Sequence, residues 1–459
     1  MAQRAIFAGP QVRRLRRKAE LTQSAMAARL GISPTYLTLI ERNQRPLTAR
    51  VVMGLVEEFG IDPAALKEDE AIGGVGGLAR RLADDRFRDL GVDREEVSEF
   101  LATAPNAAAA FARLYDGGER GVLPEDDPLS ASRREIERWR NHFADLDHAA
   151  EALADQMRLS RGDIGSALAE RLREHHQLSV RILPQEVLPD ALSRLDLHAR
   201  QIQLSELLPP ASRNFHLAVQ LGQLEQREMI ATLAQGARLP DEAARALFRR
   251  HLEGYFAAAL LMPYGRFLRA CEATGYDLVI LERRFAVSFE QLAHRLTTLQ
   301  RVGRRGLPFF MIRIDRAGQF SKRFVGASSA RFVAQDVTCP LWDVHRAFER
   351  AGETLVQLVA LEGEDETGAW LTLARSVEGS GAPGSSRFVV ALGIEAVLAN
   401  ELAHSRGLSL RPQDAQPIGP GCARCLREGC AQRSLPPGGR RLAFPPMQRG
   451  RTPFDFADR

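Results

Sequence analysis

Apolar residues recur at helical spacing through the first sixty positions and then give way to blocks of other periods. Val12, Leu15 and Ala19 form one stripe, Met26, Ala27 and Leu30 a second, and Leu37 and Ile40 a third. Such spacings place each set on one face of a short helix. Between the stripes stand residues that start and stop helices. Thr22 is a good N-cap. Gly31-Ile32 supplies a tight turn, because glycine takes the left-handed backbone at a helix end. Ser33-Pro34 pairs a cap residue with proline at the first helical position. The pattern predicts a bundle of short helices over residues 10–66, with Thr35, Tyr36 and Thr38 facing outward from the third.

The pattern then changes. Gly73-Gly-Val-Gly-Gly and a second breaker-rich stretch, Asp116 to Pro128, bracket an alanine-rich helix from Glu95 to Tyr115, which reads as a helical spacer between flexible connections. Arg133 to Phe143 reads as a charged helix, and Leu178-Ser-Val-Arg-Ile-Leu alternates like a short strand. Leu217, Leu221 and Leu224 share one helical stripe, and Phe256 to Met262 is an apolar helix. Phe285 to Gln300 has the spacing of a core helix. Pro308 to Asp315 reads as a buried strand, Gln319 to Val325 as its returning partner, and further strands follow at 354–360, 369–374 and 388–392.

The expected fold class is therefore multidomain, α followed by mixed α/β. The segments are a helix-turn-helix domain (1–68), a helical linker (69–131), a mainly helical middle domain (132–268), a mixed α/β sensor domain (269–435) and a disordered tail (436–459). A chain of 459 residues is too long for one core. No apolar run is long enough to cross a bilayer and the start lacks a signal-peptide core, so the expectation is a cytoplasmic protein with no membrane partner. Five cysteines, an odd number at uneven spacing, argue against a secreted disulfide framework.

Charge sharpens the first domain. Through Leu66 the chain has ten basic and five acidic residues, a local +5 that exceeds the +4 of the whole chain. Positive charge on a helix, glycine turn, helix unit suits phosphate contact and a helix in the major groove. The stretch from Leu21 to Pro46 resembles the lambda-repressor-like, xenobiotic-response-element type of helix-turn-helix. That resemblance implies that Gln23, Thr35, Tyr36 and Thr38 face base edges, assisted by Asn43, with Ser33 at the same helix start. Arg42 and Arg45 suit phosphate, where guanidinium pairs with two oxygens. One such helix reads few base pairs, so a homodimer or higher homo-oligomer on double-stranded promoter DNA is expected.

The run Ser212 to Gln223, with Tyr255 to Pro263, looks like the ImmA/IrrE metallopeptidase-like domains. Active members have HExxH, two zinc-binding histidines one turn apart and a glutamate that activates water. Here Val219, Gln220 and Gln223 occupy those places, and no catalytic residue is expected. His216 lies one position round the helix and reads as a packed or surface residue.

Thiols supply the remaining chemistry. Cys422-Ala-Arg-Cys425-Leu-Arg-Glu-Gly-Cys430, with Cys339 in a Cys-Pro-Leu-Trp turn, offers four soft ligands and leaves Cys271 on an apolar helix. Four thiolates suit a [4Fe–4S] cluster or a structural zinc, and spacing alone does not choose. Phe285-x-Val-Ser-Phe-Glu-Gln, His294 to Arg301, Arg313-x-Asp-Arg-Ala-Gly, Cys339 to Phe348 and the cysteine cluster with Gln432-Arg433 resemble the short-chain fatty-acyl transcriptional regulators. That resemblance implies control of propionate or acetate metabolism, CoA or a short-chain acyl-CoA as ligand, and a lean toward the cluster. Arg313, Lys322 and Arg323 are the candidate cations for the CoA phosphates, by charge alone. The alternative is an ImmA/IrrE-type stress or antitoxin-like regulator without a metabolite ligand.

Overall fold

The computed structural model describes residues 9–19, 21–41, 45–59, 74–84, 87, 90–118, 127–157, 163–328, 330, 333, 338–361, 368–379, 384, 386–438, 440–444, 447, 450, 452 and 454–456. The chain divides into two compact units, residues 1–124 and 125–459.

In the first unit, α1 (Gly9–Lys18), α2 (Gln23–Arg29), α3 (Pro34–Glu41) and α4 (Ala49–Phe59) enclose one small core. Each start signal operates as read. The Thr22 hydroxyl accepts the Ala25 N–H at 3.2 Å, and the Ser33 hydroxyl accepts the Tyr36 N–H at 3.1 Å. Gly31 stands at φ +61°, where a side chain would be strained. Val12, Met26, Ala27, Leu30, Leu37 and Ile40 are buried with Leu47, Val51 and Leu55. Ala19 is exposed, because α1 ends one residue before it.

Beyond the bundle lie α5 (Gly74–Leu82), α6 (Arg94–Thr103) and α7 (Pro105–Gly118). The single helix expected from Glu95 to Tyr115 is two. Pro105 lacks the N–H that would continue α6 and disfavours helical backbone at Ala104, which departs to ψ +57°.

The second unit opens with α8 (Pro128–Arg138), α9 (Ala144–Gln156) and α10 (Ile164–His176). The charged helix expected to reach Phe143 stops at Arg138, since Arg140 and Asn141 turn left-handed at φ +50° and +51°. A small sheet follows, β1 (Ser179–Leu183), β2 (Ser193–Asp196) and β3 (Gln201–Ser205), with β3 central, parallel to β1 and antiparallel to β2. Then come α11 (Pro210–Glu225), α12 (Arg227–Gly236), α13 (Glu242–Leu261), α14 (Tyr264–Thr274), α15 (Leu278–Phe285) and α16 (Phe289–Thr297). The core helix expected from Phe285 to Gln300 begins only at Phe289. Ala286 is left-handed at φ +51°, and Ser288 with Gln291 forms a capping box.

A six-stranded sheet completes the unit. Its strands are β4 (Phe310–Ile314), β5 (Phe320–Phe324), β6 (Leu355–Leu361), β7 (Ala369–Glu378), β8 (Arg387–Glu395) and β9 (Gln416–Ile418), in the order β5-β4-β8-β7-β6-β9. Pairing is antiparallel except between β6 and β9. Strand alternation splits the sheet between two cores. Met311, Leu371, Leu373, Val390 and Leu392 face the helices, whereas Phe310, Ile312, Ala374, Val389 and Ala391 face a second layer holding Trp342 and Cys339.

The helical core continues without a seam from Ile136 to Leu402. The boundary expected between 268 and 269 falls inside α14, and a fully buried ion pair, Asp147 on α9 to Arg295 on α16 at 2.6 Å, spans it. Within the tail expected to be disordered, β10 (Leu442–Ala443) pairs with β11 (Asp455–Phe456), and Phe456 lies under the Arg433 guanidinium at 4.9 Å. Prolines and glycines broke the apolar pattern there, and the stabilising partner is a cation far earlier in the chain.

Candidate functional site: a helix-turn-helix face and a thiol pocket

The outer surface of α3 presents Ser33, Thr35, Tyr36 and Thr38. Thr35 is exposed, whereas Tyr36 and Thr38 are half-buried, Tyr36 because its ring packs on the bundle core. Ser33 is committed to capping. Gln23 is not a free reader either. Its amide donates to Glu41 at 2.9 Å and its carbonyl accepts from the Thr38 hydroxyl at 3.5 Å, which also donates to the Pro34 carbonyl at 3.0 Å. Arg16 holds the same Glu41 through two nitrogens, at 2.7 and 3.1 Å. Burial alone would raise the Glu41 pKa, but Arg16 and Gln23 outweigh it and hold it below the ordinary carboxylate value. Arg45 is exposed beside α3, while Arg42 and Asn43 lie outside the described residues.

The second site forms where β9 leaves the sheet. Trp342 anchors the Cys339-Pro340-Leu341-Trp342 turn: its backbone N–H closes on the Cys339 carbonyl at 3.0 Å and its indole N–H donates to the Thr372 hydroxyl at 3.1 Å. Gln357 on β6 brackets the turn, accepting the Asp343 N–H at 2.8 Å and donating to the Leu341 carbonyl at 3.1 Å. Parallel pairing of β9 with β6 then delivers Gly419 to Cys430 to the same place. Cys339, Cys422, Cys425 and Cys430 line one small enclosed pocket with Pro340, Gly419, Gly421, Gln432 and Arg433. A Cβ at Gly419 would lie 2.6 Å from the Cys425 sulfur, so glycine is what lets that thiol in.

Arg433 brings a positive charge to the lining of the thiol pocket. Arg433 is buried and donates to the carbonyls of Cys422 at 3.2 Å, Cys425 at 3.0 Å and Arg427 at 2.6 Å. Among the described residues it has no carboxylate partner, and a buried cation needs a counter-charge. Burial pushes the Cys339 thiol up, the backbone N–H groups of Gly419 and Leu341 draw it down, and Cys425 and Cys430 push it up again. Cys271 is buried on α14, apart from this set.

As they stand, no three His, Cys, Asp or Glu side chains among the described residues have the geometry to hold a metal ion. A single zinc needs its sulfurs about 2.3 Å from one centre. Four cysteines lining one pocket with a glycine cradle are a donor set whose chemistry suits either a structural zinc or an iron–sulfur cluster. Sequence reasoning chose the thiols but missed the roles of Arg433, Gln357 and Trp342. Gln432-Arg433, two residues past the last cysteine, was the available signal for the first.

The helix that would carry peptidase ligands is α11. Val219 packs against the core, Gln223 donates to Glu253 at 3.0 Å, and Gln220 is buried with no partner for its carbonyl oxygen. His216 sits 3.0 Å from the Ser193 hydroxyl, and burial lowers its pKa. The three cations proposed for CoA are engaged. Arg313 and Lys322 both reach Glu290, at 3.0 and 2.7 Å, and Arg323 reaches Glu137 at 3.2 Å.

Comparison with known proteins agrees with this arrangement. The family profile described as helix-turn-helix matches residues 12–66, the IrrE N-terminal-like domain matches 173–297, and the short-chain fatty acyl coenzyme A regulator, C-terminal, matches 298–454. The HTH-type transcriptional regulator RamB of Mycobacterium tuberculosis is 36% identical, over 95% of this chain and 96% of the relative. The HTH-type transcriptional regulator PrpR of the same species is 34% identical, over 95% and 93%. The propionyl-CoA carboxylase regulator of Cereibacter sphaeroides is 34% identical over the whole of both chains. A solved Mycobacterium tuberculosis transcriptional regulator superposes with a TM-score of 0.66 at 33% identity, covering 71% of this chain and 99% of its own. The chain belongs to the family of helix-turn-helix transcriptional regulators that end in a short-chain fatty acyl coenzyme A regulator domain.

Proposed function

We propose that this protein is a cytoplasmic, homo-oligomeric regulator of short-chain fatty acid metabolism that binds promoter DNA through α3 and senses an acyl-CoA through its second unit. The observation that carries the reading is joint occurrence. A helix-turn-helix with an exposed α3 surface stands in one chain with a fatty acyl-CoA regulator domain, and relatives of the whole length are named transcriptional regulators. The peptidase scaffold contributes packing, not catalysis. Valine cannot bind zinc, and the amides of Gln220 and Gln223 cannot replace a general base and an imidazole ligand. No helix among the described residues is long and apolar enough to cross a membrane.

Cys339, Cys422, Cys425 and Cys430 hold a [4Fe–4S] cluster in this reading. When bound, such a cluster supplies one-electron redox chemistry and ties the turn after Thr338 to the segment after β9. Arg433 fixes the carbonyls of two of these ligands and balances their charge. Gly419 keeps space for Cys425, and Trp342 holds Cys339 on the sheet. For an acyl-CoA to alter DNA affinity, it must bind two states of the protein unequally.

Anaerobic purification with iron, sulfide and zinc analysis tests the cofactor. A brown protein with iron and acid-labile sulfide supports it, and colourless protein with stoichiometric zinc reverses it. Calorimetry with acetyl-CoA and propionyl-CoA tests the ligand, since absence of binding by either removes the metabolite-sensing reading.

A further inference from the structure

A cavity of about 1000 Å³ opens between the start of α10, the end of α13 and the helices α14 and α15. Arg266, Arg269 and Ala273 recur at helical spacing along its α14 wall, and Arg284 reaches it from the last turn of α15. Leu261, Ile164 and Phe285 provide apolar floor. Among the described residues neither Arg269 nor Arg284 has an ion-pair partner, and both are exposed. Arg266 has only the exposed Asp155, at 3.6 Å, and one of its terminal nitrogens is buried without a hydrogen bond. Arg304 adds to the field. A Cβ built on Gly265 would lie 3.6 Å from an Arg269 nitrogen and 3.8 Å from an Arg304 nitrogen.

Two acids share the lining, Asp163 and Glu272. Asp163 is occupied in capping α10, accepting from the Ser166 N–H and hydroxyl at 2.8 and 2.7 Å. Glu151, beside Gly265, is likewise taken up by the Gly265 N–H and by Arg301, both at 2.6 Å. A second cavity, about 690 Å³ beside the thiol pocket, lacks this excess. There Arg346 pairs with Asp343 at 3.2 Å, and the rim acid Asp414 pairs with Arg411 at 2.8 Å.

Arg269 and Arg284, without ion-pair partners among the described residues, and Arg266, paired only with the exposed Asp155, stand above an apolar floor and match a ligand with phosphates at one end and a hydrocarbon arm at the other. We propose that this cavity is the acyl-CoA site, with Arg266, Arg269 and Arg284 on the phosphates and the thioester arm along Leu261 and Phe285. The proposal rests on the acyl-CoA reading above and replaces Arg313, Lys322 and Arg323 as the phosphate contacts.

Calorimetry on the full chain compares wild type, Arg269→Glu, Arg284→Glu and, as a control, Lys322→Glu. Titrants are propionyl-CoA and a phosphate-free thioester, S-propionyl-N-acetylcysteamine. Each cavity variant should lose roughly ten-fold or more in propionyl-CoA affinity, the scale of one charge-assisted contact. Binding of the phosphate-free thioester and the melting temperature should stay as in wild type. Equal propionyl-CoA affinity across wild type and both cavity variants overturns the site while leaving acyl-CoA sensing intact. A larger loss at Lys322→Glu than at the cavity variants also overturns it. If wild type itself binds no propionyl-CoA, the ligand reading and the site fall together.

Discussion

Glu41, at the end of α3, accepts a hydrogen bond from Gln23 at 2.9 Å while held by Arg16 from α1. One buried carboxylate thus fixes the angle between the two helices of the turn motif and leaves the Gln23 carbonyl to the Thr38 hydroxyl. Replacing Glu41 by alanine strands both donors. The expected cost to the first unit is about 3 kcal/mol, as for breaking a buried pair from one side. The same pair predicts acid sensitivity. The folded pKa of Glu41 lies below its unfolded value, so its contribution is present above about pH 4.5 and fades as pH falls through the folded value. Denaturant titration of wild type and Glu41→Ala at pH 7 and pH 4 reads both effects, and their stability difference should shrink at the lower pH.

Exposed residues on α3 and beside it should separate sequence reading from charge. On the proposed DNA-binding reading the exposed Arg45 contacts phosphate, so Arg45→Ala should weaken promoter and unrelated DNA alike and reduce the salt dependence by about one counterion. Thr35→Ala should leave unrelated DNA binding unchanged and weaken the promoter by about 1–3 kcal/mol. Fluorescence anisotropy on both duplexes across a salt series measures this. Equal losses on both duplexes for Thr35→Ala would remove it from base contact.

At the thiol pocket the informative residue carries no sulfur. Arg433→Gln keeps hydrogen-bond donors near the Cys425 carbonyl but removes the positive charge that faces the thiols. Iron and sulfide content should fall markedly in Arg433→Gln and remain higher in Arg433→Lys, measured on anaerobically purified protein. Cys425→Ser should lose the visible absorption altogether. Identical iron content in all four proteins would sever Arg433 from the cofactor.

How much of this was readable beforehand depended on whether the cause was local. The helix-turn-helix was legible because each cap acts within a few residues: Thr22 on Ala25, Ser33 on Tyr36, and Gly31 on its own backbone. β4 was legible as a buried strand because both its faces are apolar, Phe310 and Ile312 entering one core and Met311 the other. What escaped was non-local. The position of Arg433 just past the last cysteine hinted at the pocket but not at its bonds to carbonyls on both sides of Cys425, and the phosphate candidates Arg313 and Lys322 gave no hint of a shared Glu290. Breaks at Pro105 and Ala286 divided helices whose apolar spacing ran straight across them. The tail looked featureless because its pairing partner for β10 lies twelve residues onward and its aromatic contact sits on Arg433.

Asp147 and Arg295, both fully buried, offer the sharpest test of whether the second unit is one cooperative body. Arg295 spends its nitrogens on Asp147 at 2.6 Å, the Thr298 hydroxyl at 2.9 Å and the Met262 carbonyl at 3.1 Å, while Tyr255 donates to the other Asp147 oxygen at 2.9 Å. Burial would raise the Asp147 pKa, yet Arg295 and His142 reverse that and hold it below the ordinary value. Its stabilisation therefore exists above about pH 3.9, the unfolded value, and is lost as pH falls further through the folded value. Arg295→Met alone leaves a buried carboxylate without its cation and should cost about 3–5 kcal/mol at pH 7. Adding Asp147→Leu removes that charge and should recover a large part of the loss. If 132–268 and 269–435 folded separately, thermal unfolding of Arg295→Met by circular dichroism would show two transitions with one unmoved. A single transition, lowered as a whole and partly restored in the double variant, is the outcome one continuous core demands.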